Sequence, residues 1–392
     1  MAISSAPSPA HRRFDVAVRG GGIVGQTLAL LLAQERLRVA LVVAPQSQGA
    51  ATVPDLRAYA LNAASRELLR SVRAWPEAEE PDSGAGTPVI TPVQGMAVFG
   101  DDGGEIHFDA RHTEQEALTW IVDVPALETR LAQAVQFQSG ILRLTEAPRA
   151  ALTVVCEGRR SATREELGLE FEVRPYHHKA VAARLRCALP HGGVARQWFK
   201  DGEIMALLPL EGAGGHAVAL VWSVESSKAD QLVNEPPEAL ALAVQAHCGG
   251  ALGDMQMLSS AIAWPLELSR AQRWIAQTAQ GGVVLAGDAA HAMHPLAGQG
   301  LNVGLADAAE LARIVREREF WRELGDLKLL RRYERARQAE VGAMGWATDG
   351  LFGLFAHTDG RVQALRNWGM KGANRIDPLK NWLTRRAMGT IA

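Results

Sequence analysis

Short runs that are apolar at every position alternate along the chain with longer stretches in which apolar residues recur three or four apart. "FDVAVRG", apolar through Val16–Val18, and "RVALVVAP" are close to the first kind and predict buried strands, the second stopped by Pro45. Between them, Ile23 to Ala33 predicts an apolar helix. A strand, a helix and a strand in this order imply a parallel pair joined by a right-handed crossover. "DLRAYALNAASRELLRSV" has the period of an amphipathic helix, and the Pro-, Gly- and Ser-rich residues 76–92 mark a boundary. "VQGMAVFG" and "GEIHFDA", separated by "DDGG", alternate like a hairpin. "VPALETRLAQAV" returns to helix. From residue 171 to 268 the pattern is strand-like ("KAVAARLRCAL", "EIMALLPL", "HAVALVWSV"), interrupted by one helix, "PEALALAVQAHCGG", that ends on glycines. "GGVVLAGDAAH" predicts a further buried strand, and the remainder is mainly helical.

These elements predict an α/β protein with a discontinuous, Rossmann-like nucleotide-binding domain over residues 14–87, 122–170 and 271–330. A β-rich domain over 88–121 and 171–270 is inserted into it. A C-terminal helical region takes 331–392, and residues 1–13 form a loose tail.

Composition narrows the function. The 392 residues carry 41 basic and 43 acidic side chains, a net charge of -2, which argues against nucleic-acid binding. Cys156, Cys187 and Cys248 have no metal-like spacing, so no metal is expected, and their sparseness suits a reducing compartment. No apolar run approaches the ~20 residues of a membrane span, and the N-terminal stretch has no signal-peptide core. A cytoplasmic protein is expected.

Two glycine-bearing stretches carry the chemistry. Gly20, Gly22 and Gly25 satisfy G-x-G-x-x-G directly after a strand and at the start of a helix. There the first glycine permits the turn, the second admits a pyrophosphate and the third lets helix and strand pack. Helix-start N–H groups then face the phosphates. The acid expected about 20 residues on, for a ribose hydroxyl, is missing: the strand ends Val42-Val43-Ala44. Arg19 is unusual where a small apolar residue would pack. In the second stretch, "GDAAHAMHPLAGQGLNVGLADAAELARIV", Asp288 ends a strand where open α/β sheets hold ligands. Pro295 fixes the loop, Gly298 and Gly300 allow approach to a flat ring, and the following helix points its positive end at it.

"GGGIVGQTLALLL", "DLRAYALNAAS", "CEGRRS", "MALLPLEG", "GDAAHAMHPLAGQGLNVGLADA" and "LRRYERARQ" occur in this order. The chain thereby resembles the FAD-dependent aromatic hydroxylases, most closely their ubiquinone-biosynthesis branch, from about residue 14 to "LKNWLTRRAMG". The resemblance implies an FAD monooxygenase with NAD(P)H as co-substrate: O2 adds at flavin C4a, and the hydroperoxide hydroxylates a polyprenylated phenol or benzoquinol. It implies that Gly20, Gly22 and Gly25 contact the FAD pyrophosphate, that Arg57 touches FAD near the phosphates, and that Asp288 binds the ribityl or pyrophosphate portion. Pro295, Gly298, Gln299, Gly300, Leu301 and Asn302 would line the flavin ring. His291 and His294 are candidates for phenol activation, with loop structuring the alternative. The family's Asp-Gly motif, tied to both FAD and NAD(P)H, appears here as Glu157-Gly158, which the resemblance makes cofactor-binding, and the segment between "ILRL" and "TVVCEGRRS" is shorter than in relatives.

Trp198, Trp222 and Trp264 either wall an apolar substrate cavity or pack the core. "TDGLFGLFAH" suits a peripheral membrane contact, a partner in a quinone-biosynthesis complex, or helix packing. Two alternatives stay open. One is a hydroxylase of a small soluble aromatic acid, which would want a cation such as Lys179, Arg186 or Arg196. The other is a weakly catalytic or non-catalytic flavoprotein-like accessory subunit.

Overall fold

The computed structural model describes residues 14–44, 56–76, 88–100, 103–112, 115–212, 214–292 and 300–356, with side chains to 345. The chain opens with β1 (Phe14–Arg19), α1 (Ile23–Gln34), β2 (Val39–Val42), β3 (Ala58–Leu61) and α2 (Ala63–Ser71). Then come β4 (Ile90–Val93), β5 (Gly95–Phe99), β6 (Glu105–Asp109), β7 (Thr119–Asp123), α3 (Val124–Phe137), β8 (Ile141–Leu144), β9 (Ala150–Val155) and α4 (Ala162–Glu166). The middle of the chain holds β10 (Phe171–Cys187), β11 (Val194–Lys200), β12 (Glu203–Pro209), β13 (Ala217–Glu225), α5 (Ser226–Asn234), α6 (Pro237–His247), β14 (Met255–Met257) and β15 (Ile262–Ala271). It closes with β16 (Ile275–Thr278), β17 (Gly281–Leu285), β18 (His291–Ala292), α7 (Gly300–Arg316) and α8 (Leu327–Ala356).

Three sheets result. The first has the order β16-β17-β9-β1-β2-β8, parallel except for β16 at the edge. Its central strand β1 has Val16, Ala17 and Val18 fully buried, which is why that run is apolar at every position. The second sheet runs β18-β15-β10-β13-β12-β11-β5-β6, with β14 added to β10. Strand alternation divides its residues: Val181, Ala183, Leu185, Trp222 and Val224 form a core with residues of α5 and α6. Ala180, Ala182, Val221 and Ser223 take the other face, which lines the cavity described below. The third sheet, β3-β7-β4, is small and antiparallel.

Most expected elements are present, and the hairpin β5–β6 closes with the Gly100 N–H donating to the Gly104 carbonyl at 2.7 Å. Two differ. The stretch read as one helix from residue 55 is split: Ala58–Leu61 pairs with β7, and the helix starts only after Asn62, whose side chain accepts from the Ser65 N–H. A tertiary pairing overrides a helical period there. The region expected to hold one helix holds two, because α5 precedes α6; its nine residues bury only Ala229 and Leu232, too few to reveal a face. The segment 88–121 is shared between sheets, β4 joining β3 and β7 while β5 and β6 extend the large sheet. The last helix among the described residues begins at Leu327, and α8 packs on α7 and β16.

Candidate active site

The first glycine turn is shaped by contacts no other residue tolerates. Gly20 has φ +116°, and a Cβ there would lie 2.2 Å from the Cys156 carbonyl oxygen. A Cβ on Gly25 would lie 2.0 Å from the Gly20 carbonyl oxygen, so α1 starts directly against the strand end. Gly22 is different: it is the extended N-cap of α1, and a Cβ on it would meet nothing within 4 Å. No side chain caps α1, which leaves its first-turn N–H groups for a ligand. Val43 follows β2 and donates its N–H to the Leu144 carbonyl at 2.9 Å; its side chain packs on Gly21.

The two residues flagged as unusual in sequence meet here. The Arg19 Nε donates to Glu157 Oε1 at 2.9 Å. Glu157 also accepts from the Thr163 hydroxyl at 2.6 Å, the Ser161 hydroxyl at 2.8 Å and the Thr163 N–H at 3.0 Å. Burial works to raise the Glu157 pKa, but the Thr163 and Ser161 hydrogen bonds and the Arg19 charge hold it below the ordinary carboxylate value. Gly158, at φ +77°, faces open space.

Beyond β17, Gly287–Ala289 forms a 3-10 turn that presents Asp288. The carboxyl is half exposed to the cavity described below. Enclosure by the surrounding protein pushes its pKa up, and Arg159, 3.8 Å away, pulls it back. Behind the turn lies a buried ionic cluster. Asp307 accepts from the Gly287 N–H at 2.8 Å, His291 Nε2 at 2.7 Å and Arg337 Nε at 2.7 Å. The His291 ring is stacked on Trp274 at 5.0 Å. It does not line the cavity, and this placement supports loop structuring over phenol activation.

At the start of α7, Gly300 and Leu301 face the cavity. Asn302 does not: it is buried, accepts from the Asn62 N–H at 3.0 Å and the Ser65 hydroxyl at 2.7 Å, and donates to the Ala60 carbonyl at 2.7 Å. It clamps α7 onto β3 and α2. His294, Pro295, Gly298 and Gln299 lie outside the described residues.

These elements enclose a cavity of about 630 Å³. One end is lined by Gly20 to Val24, Arg57, Glu157 to Arg159 and Asp288, the other by the large sheet through Ala180, Ala182, Ala206, Ala219, Val221 and Trp264. Arg57 also reaches Glu128, at 4.0 Å. Of the three tryptophans, only Trp264 walls the cavity; Trp198 and Trp222 belong to the core on the opposite face. Lys179 pairs with Asp230 at 2.6 Å, Arg186 with Glu211 at 3.4 Å, and Arg196 donates to the His191 carbonyl at 3.0 Å. None of the three lines the cavity. Polar liners unread in sequence include Arg159, although inside a quoted motif, and Gln197 and Ser223.

Residues 142–345 match the family model described as FAD binding domain. The chain belongs to that family. Ubiquinone hydroxylase UbiL of Rhodospirillum rubrum is 30% identical over 394 residues, covering 96% of this chain and 90% of that protein. The 3-demethoxyubiquinol 3-hydroxylase of Escherichia coli is 27% identical over 399 residues, covering 96% and 98%. Among solved structures, p-nitrophenol 4-monooxygenase PnpA of Pseudomonas putida shares the fold with a TM-score of 0.69 at 18% identity, covering 96% of each chain. PqsL of Pseudomonas aeruginosa, a probable FAD-dependent monooxygenase, does so at 0.67 and 19%, covering 91% of this chain and 100% of that one. The protein is an FAD-dependent enzyme, and the open face of Gly22, which lines the cavity, fits that cofactor.

Proposed function

We propose that the protein hydroxylates the ring of a polyprenylated phenol or benzoquinol in ubiquinone biosynthesis, consuming NAD(P)H and O2. FAD, when bound, supplies acceptance of hydride from NAD(P)H and activation of O2. In this reading the Gly20–Gly25 turn and the α1 N-terminus hold the pyrophosphate, with Arg57 and Arg159 beside it. Asp288 accepts from ribityl hydroxyls, and the backbone at Gly300 and Leu301 carries the ring. His291, Asp307 and Arg337 keep the Gly287–Ala289 turn in place from behind. Residues 14–87, 122–170 and 271–330 form the FAD-binding part; 88–121 and 171–270 seat the substrate and exclude water from the reacting atoms.

The carrying observation is the wall that the large sheet turns to the cavity: mostly apolar side chains interrupted by the neutral Gln197 and Ser223, with no cation among its described residues. A carboxylate-bearing aromatic would lack a partner there, whereas a prenylated ring would bury its tail favourably, at about 0.8 kcal/mol per methylene. The names of the two relatives, both quinone-pathway hydroxylases, support the same class. Among the described residues no helix is long and apolar enough to cross a membrane; we propose that so apolar a substrate is collected at a membrane surface.

The test is NAD(P)H oxidation and product formation by the holoenzyme across phenols with no, short and long prenyl chains. The reading expects turnover to rise with chain length. Equal turnover of hydroxybenzoate-type acids would contradict it.

A further inference from the structure

Two polar side chains, Gln197 and Ser223, interrupt the apolar sheet wall of the cavity. Gln197 is half-buried. Ser223 is 4% exposed, and its Oγ has no hydrogen-bond partner among the described residues. A buried hydroxyl without a partner is destabilising, and native proteins rarely keep one without a use for it.

The sheet register shows what surrounds it. Ser223 on β13 pairs with Ile204 on β12 and with Ala180 on β10, and Ala180 pairs with Trp264 on β15. These four residues stand in one row, and all four line the cavity. Strands lie about 4.8 Å apart, so Ser223 and Trp264 are rooted roughly 9.5 Å from each other. Only the methyl group of Ala180 stands between them. The row is therefore a slot with an indole on one side, a hydroxyl on the other and a floor of one carbon. A flat ring lying over Ala180 rests against Trp264 and turns an edge to Ser223. The next row, Ala182, Val221 and Ala206, continues the wall in small and apolar side chains away from that hydroxyl and ends on Gln197, two strands beyond Val221.

We propose that Ser223 hydrogen-bonds a ring oxygen of the aromatic substrate and so fixes the rotation of the ring in its slot. The assignment rests on the reading of this cavity as the seat of a prenylated phenol. Ser223 is a binding residue for orientation; nothing in its surroundings activates it as a base.

The experiment compares binding of two probes to oxidised holoenzyme without reductant: a prenylated phenol and the prenylated benzene of equal chain length. Wild type should bind the phenol about three- to tenfold more tightly, the worth of one neutral hydrogen bond. Ser223→Ala should bind both probes equally and keep wild-type FAD content. Its thermal midpoint without ligand should equal or exceed that of wild type, because the variant removes an unpaired buried hydroxyl. A preference for the phenol that survives in Ser223→Ala overturns the assignment alone. So does a lowered midpoint, which marks a structural hydroxyl. Failure of wild type to bind either probe overturns the substrate reading itself, and the assignment with it.

Discussion

Arg19 reaches across the parallel strands β1 and β9 to donate from Nε to Glu157 Oε1 at 2.9 Å. In sequence each residue is an oddity: a cation where a small apolar residue packs, and a glutamate where the family it resembles has aspartate. In the structure they are one paired feature. The longer glutamate arm spans the distance to the guanidinium while still accepting from Ser161 and Thr163 at the start of α4.

The pair predicts energetic coupling. Glu157→Asp should destabilise the protein more in wild type than in an Arg19→Ala background. Both side chains are partly exposed, so the coupling is set at about 1 kcal/mol. Urea unfolding of the four variants in a double-mutant cycle measures it; additive effects would show that the contact is incidental.

Gly22 and Gly25, three residues apart, predict opposite outcomes. Gly25→Ala should not yield folded protein, because its methyl has no room beside the Gly20 carbonyl. Gly22→Ala has open space and should fold with stability within about 1 kcal/mol of wild type. It should nonetheless bind FAD about tenfold more weakly, as expected for loss of one charge-assisted contact. Circular dichroism and FAD titration separate the two. Unaltered FAD affinity in folded Gly22→Ala would displace the pyrophosphate from this turn.

Asp307 predicts a pH dependence. Burial opposes its ionisation, but the His291 and Arg337 charges and hydrogen bonds hold its pKa below the ordinary value. A carboxyl depressed in the fold contributes stability that is whole above the unfolded pKa of about 3.9 and is lost as pH falls toward the folded value. Asp307→Asn should therefore cost about 3 kcal/mol at neutral pH, since it leaves the buried Arg337 with only the part-exposed Glu340 as counter-charge. Its acid-unfolding curve below about pH 4 should be flatter than wild type. His291→Ala should lower stability while leaving kcat per bound FAD unchanged. A collapse of kcat in folded, FAD-loaded His291→Ala would give the imidazole a chemical role.

Much of the nucleotide-binding half was legible because its signals are local. β1, the glycine turn and α1 follow one another within twenty-odd residues, and burial on both faces writes itself as an unbroken apolar run. What stayed hidden depends on partners far away in the chain. β3 reads as helix until β7 is beside it, although Asn62 ahead of Ser65 was a visible cap signal. Asn302 reads as a ring-lining residue until α2 claims its amide. Alternation around Trp222 shows that Ser223 and Trp222 take opposite faces of β13, but which face meets the cavity is decided by the packing of α5 and α6. Arg159 was legible as a motif member, and only the fold brings it to Asp288.

The most direct test of the account is the fate of molecular oxygen. Purified protein loaded with FAD is given NAD(P)H, isotopically labelled O2 and a long-chain prenylated phenol, and the product is analysed by mass spectrometry. The account predicts a ring-hydroxylated product carrying one labelled oxygen atom. FAD-loaded protein that consumes its reductant, yet places no label in any phenol offered, would contradict it.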